Sequence, residues 1–172
     1  RRRGAAADDA PGEPTASRRV SAHLLDVNVL VALFDPDHVH HEVAHDWFAD
    51  HRVEGWATCP TTENGFVRVL ANPGYNGTIS RVEAIVERLR LFCASGHHQF
   101  WHDAVSVTDL ATIRPSYIRG PRQLTDAHLL ALATRMGGRL ATFDRTIPVS
   151  AVVGATRDTI AVLGTVRESN PA

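Results

Sequence analysis

Four carboxylates in this 172-residue chain stand where a fold could gather them. Asp26 follows the apolar pair Leu24-Leu25. Asp144 ends the run Arg139-Leu140-Ala141-Thr142-Phe143. Asp126 follows Thr125, a candidate cap, in the first turn of an expected helix, and Glu63 follows Thr61-Thr62 in the same way. A helix N-terminus favours a negative side chain. In a parallel α/β fold the ligand crevice lies at the carboxyl ends of the strands, which is where Asp26 and Asp144 would fall. Several hard oxygen ligands with open positions suit Mg²⁺, with Mn²⁺ as a substitute. The chemistry that needs such a set is phosphodiester hydrolysis, in which a divalent ion activates water and stabilises the leaving oxygen. Taken singly, Asp126 also reads as an ordinary helix-start residue and Asp144 as a turn former, and no short metal motif spans the four.

Other chemistries compete. His41-Glu42-Val43-Ala44-His45 has the form H-E-x-x-H, whose two histidines at i and i+4 can hold zinc with the glutamate as base. No third ligand follows nearby, and His38, His40, His41 and His45 read rather as a solvated helix face. A haloacid-dehalogenase-type phosphatase would want a second Asp two residues after Asp26, where Asn28 stands. A non-catalytic interaction module is the remaining alternative. All 18 basic residues are arginine. That removes the P-loop NTPases, Schiff-base enzymes and protein kinases, each of which needs a lysine amine.

The elements that must carry these residues alternate between short apolar runs and helical periodicity. A strand at Leu24 passes into a helix or turn through Leu30, and Asp35-Pro36-Asp37 breaks it. His38 to Asp50 reads as a helix with Val43, Ala44, Trp47 and Phe48 inward. Trp56–Thr58 reads as a strand, and a helix capped by Thr61 or Thr62 runs to Leu70. Asn72 to Gly77 reads as a loop. Ser80-Arg81-Val82-Glu83 reads as a capping box before a helix with Val82, Ile85, Val86, Leu89 and Phe92 inward. A strand begins at Gln99. Thr125 caps a helix with Leu129, Leu132, Ala133 and Met136 on one face, ended by Gly137-Gly138. Strands follow at 139–144 and 160–163. This order predicts an α/β protein: a three-layer α/β/α sandwich around a mainly parallel sheet.

Four segments, in order, resemble one family: Leu24-Leu25-Asp26-Val27-Asn28-Val29-Leu30; Thr61-Thr62-Glu63-Asn64-Gly65-Phe66; Leu124-Thr125-Asp126-Ala127-His128-Leu129-Leu130-Ala131-Leu132-Ala133; and Leu140-Ala141-Thr142-Phe143-Asp144. The chain resembles the VapC-type PIN-domain ribonucleases, the toxin halves of bacterial toxin–antitoxin pairs, over about residues 22–165. The resemblance implies a PIN-like fold and an acidic Mg²⁺ site of Asp26, Glu63, Asp126 and Asp144. Asp26 and Asp126 would be the usual metal ligands, and Asn28 and Thr142 would support them by hydrogen bonds. It further implies cleavage of a structured RNA, with tRNA ahead of rRNA, inhibition of translation and growth, a cognate VapB-like antitoxin and a homodimer. Residues 97–123 match no motif residue by residue, so Asp103 stays outside the expected site.

Residues 1–22 lack large apolar side chains and read as a disordered extension or a non-native segment. Residues 23–165 read as the nuclease domain, and 166–172 as a flexible tail. Five of the 18 arginines and three of the 19 acids fall within 1–22, which leaves the remainder at a formal −3. Such a balance is not that of a general nucleic-acid coat, so RNA contact would depend on locally placed arginines. Arg114, Arg119 and Arg122 flank Tyr117 in a segment rich in turn residues, a composition suited to single-stranded RNA; Arg68 and Arg81 are further phosphate candidates. The two cysteines, Cys59 and Cys93, have no metal-type spacing and read as reduced thiols of a cytoplasmic protein. The apolar run Leu24–Phe34 is interrupted by Asp26 and Asn28 and falls short of the ~20 apolar residues a membrane span needs.

Overall fold

The computed structural model describes residues 22–76 and 81–164. Five parallel strands carry the fold: β1 (His23–Leu25), β2 (Trp56–Thr58), β3 (His98–Phe100), β4 (Arg139–Thr142) and β5 (Ile160–Val162). They lie in the order β3-β2-β1-β4-β5, and every pairing is parallel. Helices are α1 (Val27–Phe34), α2 (His41–His51), α3 (Pro60–Leu70), α4 (Pro73–Asn76), α5 (Val82–Cys93) and α6 (Arg122–Arg135). None of them is long and apolar enough to cross a membrane.

Both faces of the sheet are covered, which is why its central strands are apolar almost throughout. On one face Leu25, Trp56 and Ala141 pack with Leu30, Phe48, Phe66, Ile85 and Leu89 from α1, α2, α3 and α5. On the other, Leu24, Ala57 and Leu140 pack with Leu129, Leu130 and Leu132 of α6, together with Trp101, Ile113 and Val152. The three-layer α/β/α architecture follows, and the expected mainly parallel sheet is wholly parallel among the described residues.

Several local expectations are corrected. α2 begins at His41 rather than His38; residues 38–40 form a turn in which the His40 N–H donates to His38 Nδ1. α3 is not capped by Thr61 or Thr62. Pro60 occupies its first turn, where a missing N–H costs nothing, Cys59 is the cap residue, and the Thr62 hydroxyl accepts from the Cys59 N–H at 3.0 Å. A four-residue helix, α4, replaces most of the loop at 72–77. α6 begins at Arg122 after Pro121, so Thr125 is an interior residue. Val82 and Val86 are exposed on the flank of α5, whose contact with the core is made by Ile85, Leu89 and, partly buried, Phe92. Met136 is also exposed: it follows the last turn of α6, and Gly137, at φ +68°, swings the chain toward β4. The expected extension at 1–22, apart from Ala22, the Ser80 cap and the tail at 166–172 lie outside the described residues. Ala22 itself is buried in the core.

Candidate active site

The strand order decides where the acids can meet. β1, β2 and β3 step toward one edge, and β4 and β5 lie on the other side of β1, so the winding reverses between β1 and β4. The crevice of an open parallel sheet opens at that reversal, beyond the carboxyl ends of the strands. Asp26 directly follows β1 and its N–H donates to Ala141 O of β4 at 3.0 Å, which extends the pairing by one residue. Asp26 is also the N-cap of α1: its Oδ1 accepts from the Val27 N–H at 2.6 Å. Its Oδ2 accepts from the Thr142 hydroxyl at 2.9 Å. Thr142, at the end of β4 and fully buried, accepts in turn from the Asp144 N–H at 3.1 Å. One hydroxyl therefore holds the Asp26 carboxylate and the Asp144 backbone.

Asp144 is held in an Asx-type turn, in which its Oδ1 accepts from the Thr146 N–H and from the Thr146 hydroxyl, at 2.6 and 2.7 Å. Asp126 arrives from α6, in its second turn rather than the expected first, because Pro121 starts the helix early. The three acids feel one another. Burial, then the charges of Asp26 and Asp144, raises the Asp126 carboxyl to about 6. Burial raises Asp26 as well, opposed by its hydrogen bonds from Thr142 and Val27 and reinforced by Asp144. Among the described residues none of these three carboxylates pairs with an arginine. Crowded, partly buried carboxylates without a basic partner call for a cation, and an all-oxygen donor set fits a hard divalent ion.

Glu63 is differently placed. It lies in the first turn of α3 as expected, but its Oε1 accepts from the Thr58 hydroxyl at 2.7 Å, and the side chains that feel its charge are Cys93 and His98. Its helix is drawn against α1 at Gly65, where a methyl group would come within 2.6 Å of Val27 Cγ2. Asn28 is exposed in the first turn of α1. Asp103 lies beyond β3, its Oδ1 3.2 Å from His128 Nε2, and His128 is two residues on from Asp126.

Two clefts flank the acids. One, of about 430 Å³, is lined by Ser116, Tyr117, Arg119, Gln123, Thr146 and Pro148, and so borders the Asp144 turn. The other, also about 430 Å³, is lined by Val27, Thr61, Asn64, Arg68 and Thr125, neighbours in sequence of Asp26, Glu63 and Asp126. Arg114 and Arg122 are exposed at the ends of the segment that supplies Tyr117 and Arg119. Arg81 instead pairs with Glu83 at 3.5 Å.

The H-E-x-x-H histidines do structural work elsewhere. His41 Nδ1 donates to Ala32 O at 2.8 Å and His45 Nε2 to Leu33 O at 3.0 Å, so α2 satisfies two of the carbonyls that α1 leaves open at its C-terminus. Sequence reasoning missed Thr58 and Thr146. The spacing Asp144-Arg145-Thr146 is a turn signal that points to the second; nothing local points to the first.

The PIN domain family model matches residues 23–151. Ribonuclease VapC44 of Mycobacterium tuberculosis (strain ATCC 25618 / H37Rv) is 47% identical over 140 residues, 81% of this chain and 98% of that protein. Ribonuclease VapC39 of the same strain is 40% identical over 131 residues, 76% of this chain and 94% of its own length. Ribonuclease VapC38, also of that strain, is 47% identical over 121 residues, 70% and 84% respectively. With its parallel sheet in this winding and its acids gathered at the reversal, the chain belongs to the VapC-type PIN-domain ribonucleases.

Proposed function

We propose that this protein is the toxin of a toxin–antitoxin pair: a Mg²⁺-dependent endoribonuclease that cleaves a structured RNA, tRNA first and rRNA second, and so stops translation and growth. The observation that carries this reading is the convergence of Asp26, Asp126 and Asp144 beyond β1 and β4, with no basic partner among the described residues. Asp26 and Asp126 would be the principal ligands, with Asp144 completing the pocket; Glu63 would join them by turning from Thr58. A divalent ion bound there supplies neutralisation of the developing charge and acidification of water. Thr142 holds the Asp26 carboxylate and the Asp144 backbone, and burial of Asp26 limits competition from solvent. Asn28, exposed beside Asp26, is free to contact a ligand or the RNA.

The clefts on either side support RNA as substrate. Arg119 and Tyr117 offer a cation and a stacking face on one side, with Arg114 and Arg122 at the margins, and Arg68 offers a cation on the other. An RNA strand crossing between them would carry its phosphodiester over the acids. A cognate VapB-like antitoxin that blocks these clefts, a homodimeric state and a cytoplasmic location complete the proposal.

The test is inducible expression of wild type and Asp26→Ala in a bacterial host, with growth and small-RNA integrity read together. Arrest and discrete RNA fragments with wild type alone, at equal soluble protein, are the expected result. Failure of the purified wild type to cut RNA in Mg²⁺ overturns the reading.

A further inference from the structure

Glu63, Cys93 and His98 lie on three different elements, and each presents a ligand atom within 4.8 Å of the other two. Cys93 is the last residue of α5 and His98 the first of β3. The four residues between them turn tightly through Gly96 and His97, both at positive φ, and the turn is pinned by the Trp56 indole N–H donating to Gly96 O at 3.1 Å. Glu63 comes from α3. The three meet around the hydroxyl of Thr58, which is fully buried, donates to Glu63 Oε1 at 2.7 Å and lies 2.8 Å from His98 Nε2. The three would-be ligands are themselves only part-buried, so an ion can reach them.

A thiol, an imidazole and a carboxylate form a borderline-soft donor set. Zinc binds all three in tetrahedral sites and leaves a fourth position to water, whereas Mg²⁺ prefers oxygen alone. The Glu63 carboxylate beside the thiol and the imidazole supplies the negative charge that favours an arriving cation.

We propose that Glu63, Cys93 and His98 form a second metal site, selective for a zinc-class ion and distinct from the Asp26–Asp126–Asp144 cluster. On binding, the Cys93 S–H bond breaks, its proton leaves to solvent and the thiolate sulfur takes the ion; no oxidation state changes. A filled site fixes Glu63 against β2 and β3 and withholds it from the other acids, so the ion restrains cleavage. That last consequence rests on the nuclease reading above; the binding itself does not.

Metal-stripped full-length protein titrated with Co²⁺, as a spectroscopic stand-in for zinc, tests the site. One equivalent should bind with a thiolate-to-metal charge-transfer band, and Zn²⁺ should displace it. Cys93→Ser should abolish the band, and His98→Ala should weaken binding about tenfold or more, while Cys59→Ser keeps both. Melting curves in chelator verify that each variant is folded. Absence of the band in wild type, or its persistence in Cys93→Ser, overturns the site. The second arm is RNA cleavage in Mg²⁺: one equivalent of Zn²⁺ should inhibit wild type and leave Cys93→Ser active. A band without inhibition upholds the site and overturns its coupling to Glu63, and a wild type that never cuts RNA refutes the nuclease reading while leaving the spectroscopic result intact.

Discussion

Asp126→Asn should make the protein more stable and inactive at once. The Asp126 carboxyl rises from 3.8 to about 6 because burial and two neighbouring carboxylates oppose its charge. At about 1.4 kcal/mol per pH unit the full rise is worth about 3 kcal/mol. The carboxyl is only half-buried, and solvent screening reduces this to about 1 kcal/mol. An amide of the same shape removes the charge, and among the described residues Asp126 accepts no hydrogen bond that the change would lose. In a chain of this size about 1 kcal/mol is about 2–4 °C in Tm. The folded pKa lies above the unfolded one, so the folded state binds more protons between them. The wild-type penalty is therefore absent below about 3.8 and grows as pH rises through about 6. Melting in chelator should show Asp126→Asn ahead of wild type at pH 7.5, with the gap closing toward pH 4. Mg²⁺ should stabilise wild type by mass action, about 2.7 kcal/mol at a hundredfold excess over Kd, and do little for the variant. A variant that melts below wild type in chelator at pH 7.5, or a gap that ignores pH, would refute the argument from carboxylate crowding.

Three further outcomes are expected. Thr142→Val removes the donor to Asp26 Oδ2 and the acceptor for the Asp144 N–H; metal affinity and cleavage should both fall about 10–100-fold, with Thr142→Ser recovering most of the loss. His41→Ala and His45→Ala each uncap a carbonyl of α1 and should cost about 1 kcal/mol in urea unfolding; loss of hydrolysis from a folded variant would instead favour the zinc-hydrolase alternative. His23 is buried, and burial, then Arg139, lowers it from 6.5 to about 4. A lowered histidine contributes stability that is present above about 6.5 and lost as pH falls toward 4, about 3 kcal/mol at most. Urea unfolding at pH 7 and pH 4.5 should show a smaller acid loss in His23→Leu than in wild type, and equal losses would sink the assignment.

Much of the framework is written locally. Short apolar runs bounded by breakers mark β1, β2 and β4, and the carboxylates just past them, Asp26 and Asp144, inherit the strand-end position because the chain must leave the sheet there. Glu63 falls in the first turn of α3 for the same kind of reason: helix starts have local signals, even though Pro60 and not a threonine supplied this one. Periodicity is a property of neighbours along the chain and can be read from them. Partnership across the fold is not. The hydroxyl that sets Asp26 belongs to Thr142, 116 residues away, and the pairing exists because β4 inserts beside β1 rather than at the edge next to β3. The same long-range order brings Asp126 into the crowd that raises its pKa, turns Glu63 toward Thr58, Cys93 and His98, and lays His41 and His45 over the end of α1, where their spacing had suggested zinc. Residue types name the chemistry a site can do; which of them meet is decided by the winding of the sheet, since each contact closes a loop that no local pattern encodes.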